Sequence, residues 1–299
     1  TENEKSIWSN NFDLKVEEVF DVQDKIAEEM VSTIVGRVEA DALDNIKTKR
    51  PDNMDSYDLV LQGLEYAKKG NVMKENTQKA VELFEKAIEL EPSYARAHAW
   101  RACTLSNLAD WEESPDPKIF ENAFKSIQLA LELDSNEPEV HRIMGALKLW
   151  HERDHEMARY HFEKARELCP SDVFIISRYA IMLIYFGEFD KALEELERAK
   201  RLDPFSHDLL FGPEAICHYW MDNPIEALQT FKKVKVKKNF LFYIALANKK
   251  SGNNDKASEN LKEAYALTGM DNDSFVGSQP FKDQEFTSKL KGELSNITV

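Results

Sequence analysis

Glycine and proline are scarce, with 10 of each in 299 residues. A many-stranded sheet needs turn residues at every hairpin, so this sparse punctuation favours helices joined by short turns. The three cysteines, Cys103, Cys169 and Cys217, are scattered and form no CxxC pair. That argues against a disulfide scaffold or a Cys-rich zinc framework and leads us to expect a reducing, cytoplasmic setting. No apolar run approaches the roughly 18 residues a membrane span requires, and no signal peptide is visible. Positive charge is also short: 39 Lys and Arg stand against 54 Asp and Glu, a net charge of −15. So acidic a surface repels phosphate backbones, and nucleic acid is not an expected partner. The one basic run (Lys232, Lys233, Lys235, Lys237, Lys238) reads first as a solvated helix end and second as a small anion patch.

What is present is a repeat. A small residue, a large apolar residue four later, a second small residue three after that, and a Pro five further on recur as Ala80, Phe84, Ala87, Pro92. The same pattern returns as Ala158, Phe162, Ala165, Pro170 and as Ala192, Leu196, Ala199, Pro204. Weaker copies are Ala123, Ile127, Ala130 with Ser135 at the Pro place, then Ala227, Phe231, Val234 and Ala257, Leu261, Ala264. Another small residue precedes several of these copies by twelve or thirteen positions: Gly145, Ala180, Ala215 and Ala245. Two antiparallel helices, A and B, crossing closely at small residues explain this spacing. It resembles the tetratricopeptide repeat (TPR), a unit of about 34 residues. The expected fold is an all-α TPR solenoid, a right-handed superhelix of helix pairs. Six repeats are expected within residues 55–271, at roughly 55–92, 93–137, 138–171, 172–206, 207–237 and 238–271. The second carries a long inter-helix loop from Trp111 to Pro117.

Two flanks remain. Val19, Val22, Ile26, Met30, Ile34 and Val38 form a stripe at helical spacing, so residues 14–54 read as a linker and an N-terminal capping helix. Residues 272–299 read as a weakly periodic tail with a short helix near 282–293, and the tail and the capping helix are expected to cover the ends of the array.

The N-terminal flank adds a resemblance. Ile7-Trp8-Ser9, Phe12-Asp13 and the run from Val19 to Ile26 resemble a segment of bacterial multidomain signalling proteins, as do Met54–Leu59 with Gly63 and Pro280–Asp283 near the end. In that family a class III adenylate/guanylate cyclase domain or a winged-helix DNA-binding domain precedes a TolB-like α/β domain and then TPRs. The resemblance spans essentially the whole chain. It implies that residues 1–13 are the remnant of a TolB-like domain, and that the parent is a cyclase or a transcription regulator. The start at Thr1 without Met gives the same expectation of a piece of a longer protein. No residues for nucleotide cyclisation occur here, so this chain is not expected to be an enzyme or to need a cofactor.

One motif points to chemistry. His151-Glu152-Arg153-Asp154-His155 matches HExxH, with His161 where a third zinc ligand would fall. Zinc hydrolysis needs both histidines one turn apart on a continuous helix, with the Glu as general base. The repeat register instead places the motif across an A–B turn, with Ala158 at the Gly position, so neither a metal site nor a catalytic residue is expected. His98 and His141 fall at places normally filled by packing residues, which makes them semi-buried imidazoles.

The better candidate is the concave face lined by the A helices. Groove positions hold Trp150, Tyr185 and Trp220, each 35 residues from the last, flanked by Leu149 and Tyr219. Arg142, Phe174, Ile181, Phe242 and Tyr243 fall on further groove positions. Rings offer large contact area at small entropy cost, which suits peptide binding. A core role for the same rings, between neighbouring repeats, is the alternative the sequence leaves open. A carboxylate clamp for chaperone tails is not expected, because its Lys and Asn places hold Ala99, Cys103, Ser177 and Ile181. The expected partner is a protein or peptide, or another domain of the same polypeptide, with a homodimer as a further possibility.

Overall fold

The computed structural model describes residues 56–70, 73–109, 111, 116–203 and 208–298. The expected capping helix and the TolB-like remnant lie outside the described residues, as does most of the Trp111–Pro117 loop. The chain divides into two compact units, residues 1–170 and 171–299.

Among the described residues of the first unit, six helices form three antiparallel pairs: α1 (Ser56–Gly70) with α2 (Lys74–Leu90), α3 (Ala95–Ala109) with α4 (Pro117–Leu133), and α5 (Pro138–Leu147) with α6 (His155–Leu168). A π-helical turn, Lys148–Glu152, extends α5. In the second unit α7 (Val173–Tyr185) pairs with α8 (Phe189–Leu202), α9 (Asp208–Trp220) with α10 (Pro224–Phe231), and α11 (Leu241–Lys250) with α12 (Asn254–Thr268). Two further helices, α13 (Asn272–Ser278) and α14 (Gln284–Ser295), complete it. No strand occurs among the described residues.

The pairs form where the small residues allow. Ala80, Ala123, Ala158, Ala192, Ala227 and Ala257 of the B helices are fully buried. So are Ala87, Ala130, Ala165, Ala199 and Ala264, about two helical turns further along the same faces. Between them Phe84, Ile127, Phe162, Leu196, Phe231 and Leu261 are at most 2% exposed. The partner position on the A helix must be small for the ring to fit. A Cβ added to Gly63 would lie 2.5 Å from the Phe84 ring, and one on Gly145 would lie 2.9 Å from Phe162. Close approach of this kind is what interior packing density demands.

Polar punctuation sets the helix ends. Asp116 caps α4, with Pro117 at its first position; Asp154 caps α6 through the Met157 amide and Asp172 caps α7 through Ile175. Such side chains satisfy amides that have no helical partner. The A–B turns of the third to sixth pairs each contain one left-handed residue: Arg153, Gly187, Asp222 and Gly252, with φ from 56° to 79°. Glycine reaches that region without steric cost, whereas Arg153 and Asp222 do not.

Candidate functional site

The HExxH segment is divided by its backbone. His151 and Glu152 end the π turn, Arg153 is left-handed, Asp154 is the N-cap, and His155 opens α6. The continuous turn that two zinc-binding imidazoles require is therefore missing. His151 Nε2 instead lies 2.6 Å from Ser106 Oγ and its ring packs against Phe120. Burial, reinforced by the charge of Arg153, holds its pKa below the usual histidine value. His161 faces His141 with the two Nδ1 atoms 3.0 Å apart, while His141 Nε2 meets the Ser135 carbonyl at 2.9 Å. Among the described residues no group of three His, Cys, Asp or Glu is arranged to hold a metal ion.

The groove residues of the first unit are mostly enclosed. Arg142 is 3% exposed; its guanidinium donates to Glu139 Oε2 at 2.7 Å and 2.9 Å and lies 4.8 Å over the Trp100 ring. Leu149 is fully buried and Trp150 is half-buried. Arg142 and Leu149 are thus part of the packed interior of this unit rather than open groove positions.

In the second unit the A-helix face carries a polypeptide segment already, and that segment is the chain's own C-terminal part. Its Phe281 ring packs edge-on against Tyr185 and Trp220, both at 5.2 Å between centroids. Phe286 packs edge-on against Phe189 at 5.4 Å and Trp220 at 5.2 Å. It occupies the notch left by Gly187, where an added Cβ would lie 2.6 Å from the ring. Phe275 stacks on Phe242 at 4.0 Å and 6° and meets Tyr243 edge-on at 5.8 Å. The edge-to-face arrangements are the ones the ring quadrupole favours.

Polar contacts fix the register of the segment. The Tyr185 hydroxyl donates to Gln279 Oε1 at 3.2 Å, and the amide of Lys282 donates to the Tyr185 carbonyl at 2.9 Å, where α7 ends. The Tyr219 hydroxyl donates to the Glu293 carboxylate, which also pairs with Lys250 at 3.4 Å. Burial first, and the Glu293 charge second, raise the Tyr219 phenol far above its usual range, and burial raises Tyr243 likewise. Both phenols are therefore fixed donors at any physiological pH. Lys282 and Lys289 lie over the rings of Phe186 and Trp220.

Of the sequence-derived positions in this unit, Tyr219, Trp220, Phe242 and Tyr243 are at most 6% exposed, while Phe174, Ile181 and Tyr185 are half-buried. The structure brings Tyr185, Tyr219, Trp220, Phe242 and Tyr243 together under one segment. Their burial comes from that segment as well as from neighbouring helices. Sequence reasoning missed its residues Phe275, Gln279, Phe286 and Glu293. It also missed α13, and placed the last helix at 282–293 where the structure has Gln284–Ser295. The available signal was the spacing of Phe275, Phe281 and Phe286, with Leu290 and Leu294 four residues apart after them.

Paired helices meeting at small residues, repeated along the chain, define an all-α repeat protein of the TPR type. The tetratricopeptide repeat family matches residues 83–114. A 148-residue stretch is 22% identical to "Putative adenylate cyclase 3" of Rhizobium meliloti (strain 1021), covering 49% of this chain and 25% of that protein. The chain thus matches about a quarter of the length of its curated relative. Among solved structures it is similar to a tetratricopeptide repeat protein from Parabacteroides merdae ATCC 43184, with TM-score 0.50 and 14% identity over 92% of this chain and 98% of that one. It is also similar to a chain of the APC/C hetero-tetramer Cut9-Hcn1, with TM-score 0.59 and 11% identity over 88% of this chain and 46% of that one. At these identities the likeness is one of fold.

Proposed function

We propose that this chain is a non-catalytic protein–protein interaction scaffold that receives a peptide or a segment of a partner domain on the A-helix face of its repeats. The observation that carries this reading is the occupied face of the second unit, which grips a polypeptide segment through aromatic rings, phenol hydroxyls and one backbone amide. Interfaces are enriched in such rings, which are apolar in body and polar at the tip. Trp150, Phe174 and Ile181, half-buried on their helices, are groove positions that keep some exposed surface. The net charge of −15 disfavours nucleic acid in that role, and no helix among the described residues is long and apolar enough to cross a membrane.

The match to a named adenylate cyclase favours a setting within a larger signalling protein. In that setting residues 1–13 end a TolB-like domain, 14–54 link and cap, 55–271 form the repeats, and the array works in the cytoplasm. There it regulates, or dimerises, a cyclase or a transcription regulator. A photo-crosslinking residue at Ile181, on the A face, tests the scaffold reading against one at Glu197, which is exposed on a B helix. A discrete crosslinked protein from position 181 and none from 197 is the expected result. Equal labelling from both positions, or none from 181, refutes it.

A further inference from the structure

We propose that the aromatic face of the second unit is a binding surface with an exchangeable occupant. Residues 271–297 fill it in the resting chain, and an incoming segment with the same spacing of aromatics, Phe-x5-Phe-x4-Phe, takes their place. This rests on the scaffold reading above and names the chemistry of the partner.

The resident segment adds contacts of a second kind to the apolar burial that builds the array. Helix pairs meet through fully buried alanines with one large apolar residue beside them, Phe in three pairs and Ile or Leu in the other three. The segment buries Leu290 and Leu294 completely and is held besides through ring edges, one ring stack, the Tyr185 and Tyr219 hydroxyls, and lysines lying over rings. These are contacts a face can make with a separate peptide. Its two helices have 7 and 12 residues, at or below the length at which an isolated helix persists in water, so their order depends on the face. The connection to α12 is short, running from Thr268 through left-handed Gly269 to Asp271. That tether gives the segment a high effective concentration, so a competing segment binds weakly until the resident one is loosened.

Three places define the recognition. The Gly187 notch, walled by Phe189 and Trp220, takes one ring; the gap between Tyr185 and Trp220 takes the second; Phe242 and Tyr243 take the third. Gln279, between the first two aromatics of the sequence, answers the Tyr185 hydroxyl. A matching partner is an amphipathic, two-helix segment with aromatics at those spacings, a polar amide between the first two, and a carboxylate near its end for Tyr219.

The test uses the full chain and a fluorescent synthetic peptide of residues 271–298, read by anisotropy. The Phe281→Ala/Phe286→Ala chain, with its resident segment loosened, is expected to bind the peptide at least tenfold more tightly than the unaltered chain. A peptide with the same two alanines should bind neither, and adding Tyr185→Ala to the loosened chain should weaken binding. A loosened chain that keeps its helical circular dichroism and binds no peptide overturns the proposal. Should that variant lose its fold, hydrogen exchange on the unaltered chain decides. Amides of 284–295 opening at least tenfold faster than those of α7–α12 support exchange, and equal rates overturn it. Absence of peptide binding together with a partner crosslinked from Ile181 removes the exchange but leaves the scaffold. Loss of both results removes the two readings together.

Discussion

Replacing His161 by Asn should make the first unit less sensitive to acid. His141 Nε2 lies against the Ser135 carbonyl, so that nitrogen carries its proton and Nδ1 is left as an acceptor. His161 must then donate from Nδ1, which leaves its own Nε2 bare. Burial, with contributions from His141 and Lys148, lowers the His161 pKa from 6.5 to about 4. The folded unit binds this proton less readily than the unfolded chain does. The neutral form's stability is therefore fully present above pH 6.5 and is lost progressively as the pH falls towards 4. At pH 5 the loss amounts to about 2 kcal/mol, and well below pH 4 to about 3 kcal/mol. Asn keeps an N–H donor for His141 Nδ1 but cannot titrate. The assay is urea unfolding of both chains between pH 7.5 and 5, followed by tryptophan fluorescence. Subtracting the two curves removes the titrating groups that do not touch residue 161, His151 included. The expected difference grows towards acid, in favour of the His161→Asn chain. A difference that stays flat from pH 7.5 to pH 5 would refute the assigned proton positions.

Three other changes follow from the packing. Gly145→Ala drives a methyl to within 2.9 Å of the Phe162 ring, and overpacking of about 1–3 kcal/mol should outweigh the helix-propensity gain of up to ~1 kcal/mol, lowering the thermal midpoint. Gly292→Ala meets nothing within 4 Å on α14 and should stabilise the chain by about 0.5–1 kcal/mol in the same melt. Arg142→Met strands the Glu139 carboxylate, which is 5% exposed, and should cost about 3–5 kcal/mol in denaturant unfolding, whereas adding Glu139→Leu should restore much of it.

The fold was legible because close helix crossing is a local steric demand. Ala80, Ala158 and Ala192 recur at repeat spacing since a larger side chain there would force the two helices apart, and the structure buries each completely. The division of His151–His155 by a turn was legible for the same reason, since Ala158 and Gly145 assign the flanking helices to opposite arms of one pair. Arg142 was harder to place. A charged residue at a groove position reads as exposed, and only its neighbours Glu139 and Trp100 show that its charge is balanced inside.

The sequence by itself determined a chain of helix pairs, their register and the row of aromatics on the A helices, because each follows from residues within about one repeat. Only the tertiary structure decided what that row touches. Phe281 meets Tyr185 and Trp220, 96 and 61 residues away, and Glu293 meets Tyr219 from the far end of the chain. Such pairings have no period. They arise when a short amphipathic tail covers an apolar surface within reach of its tether.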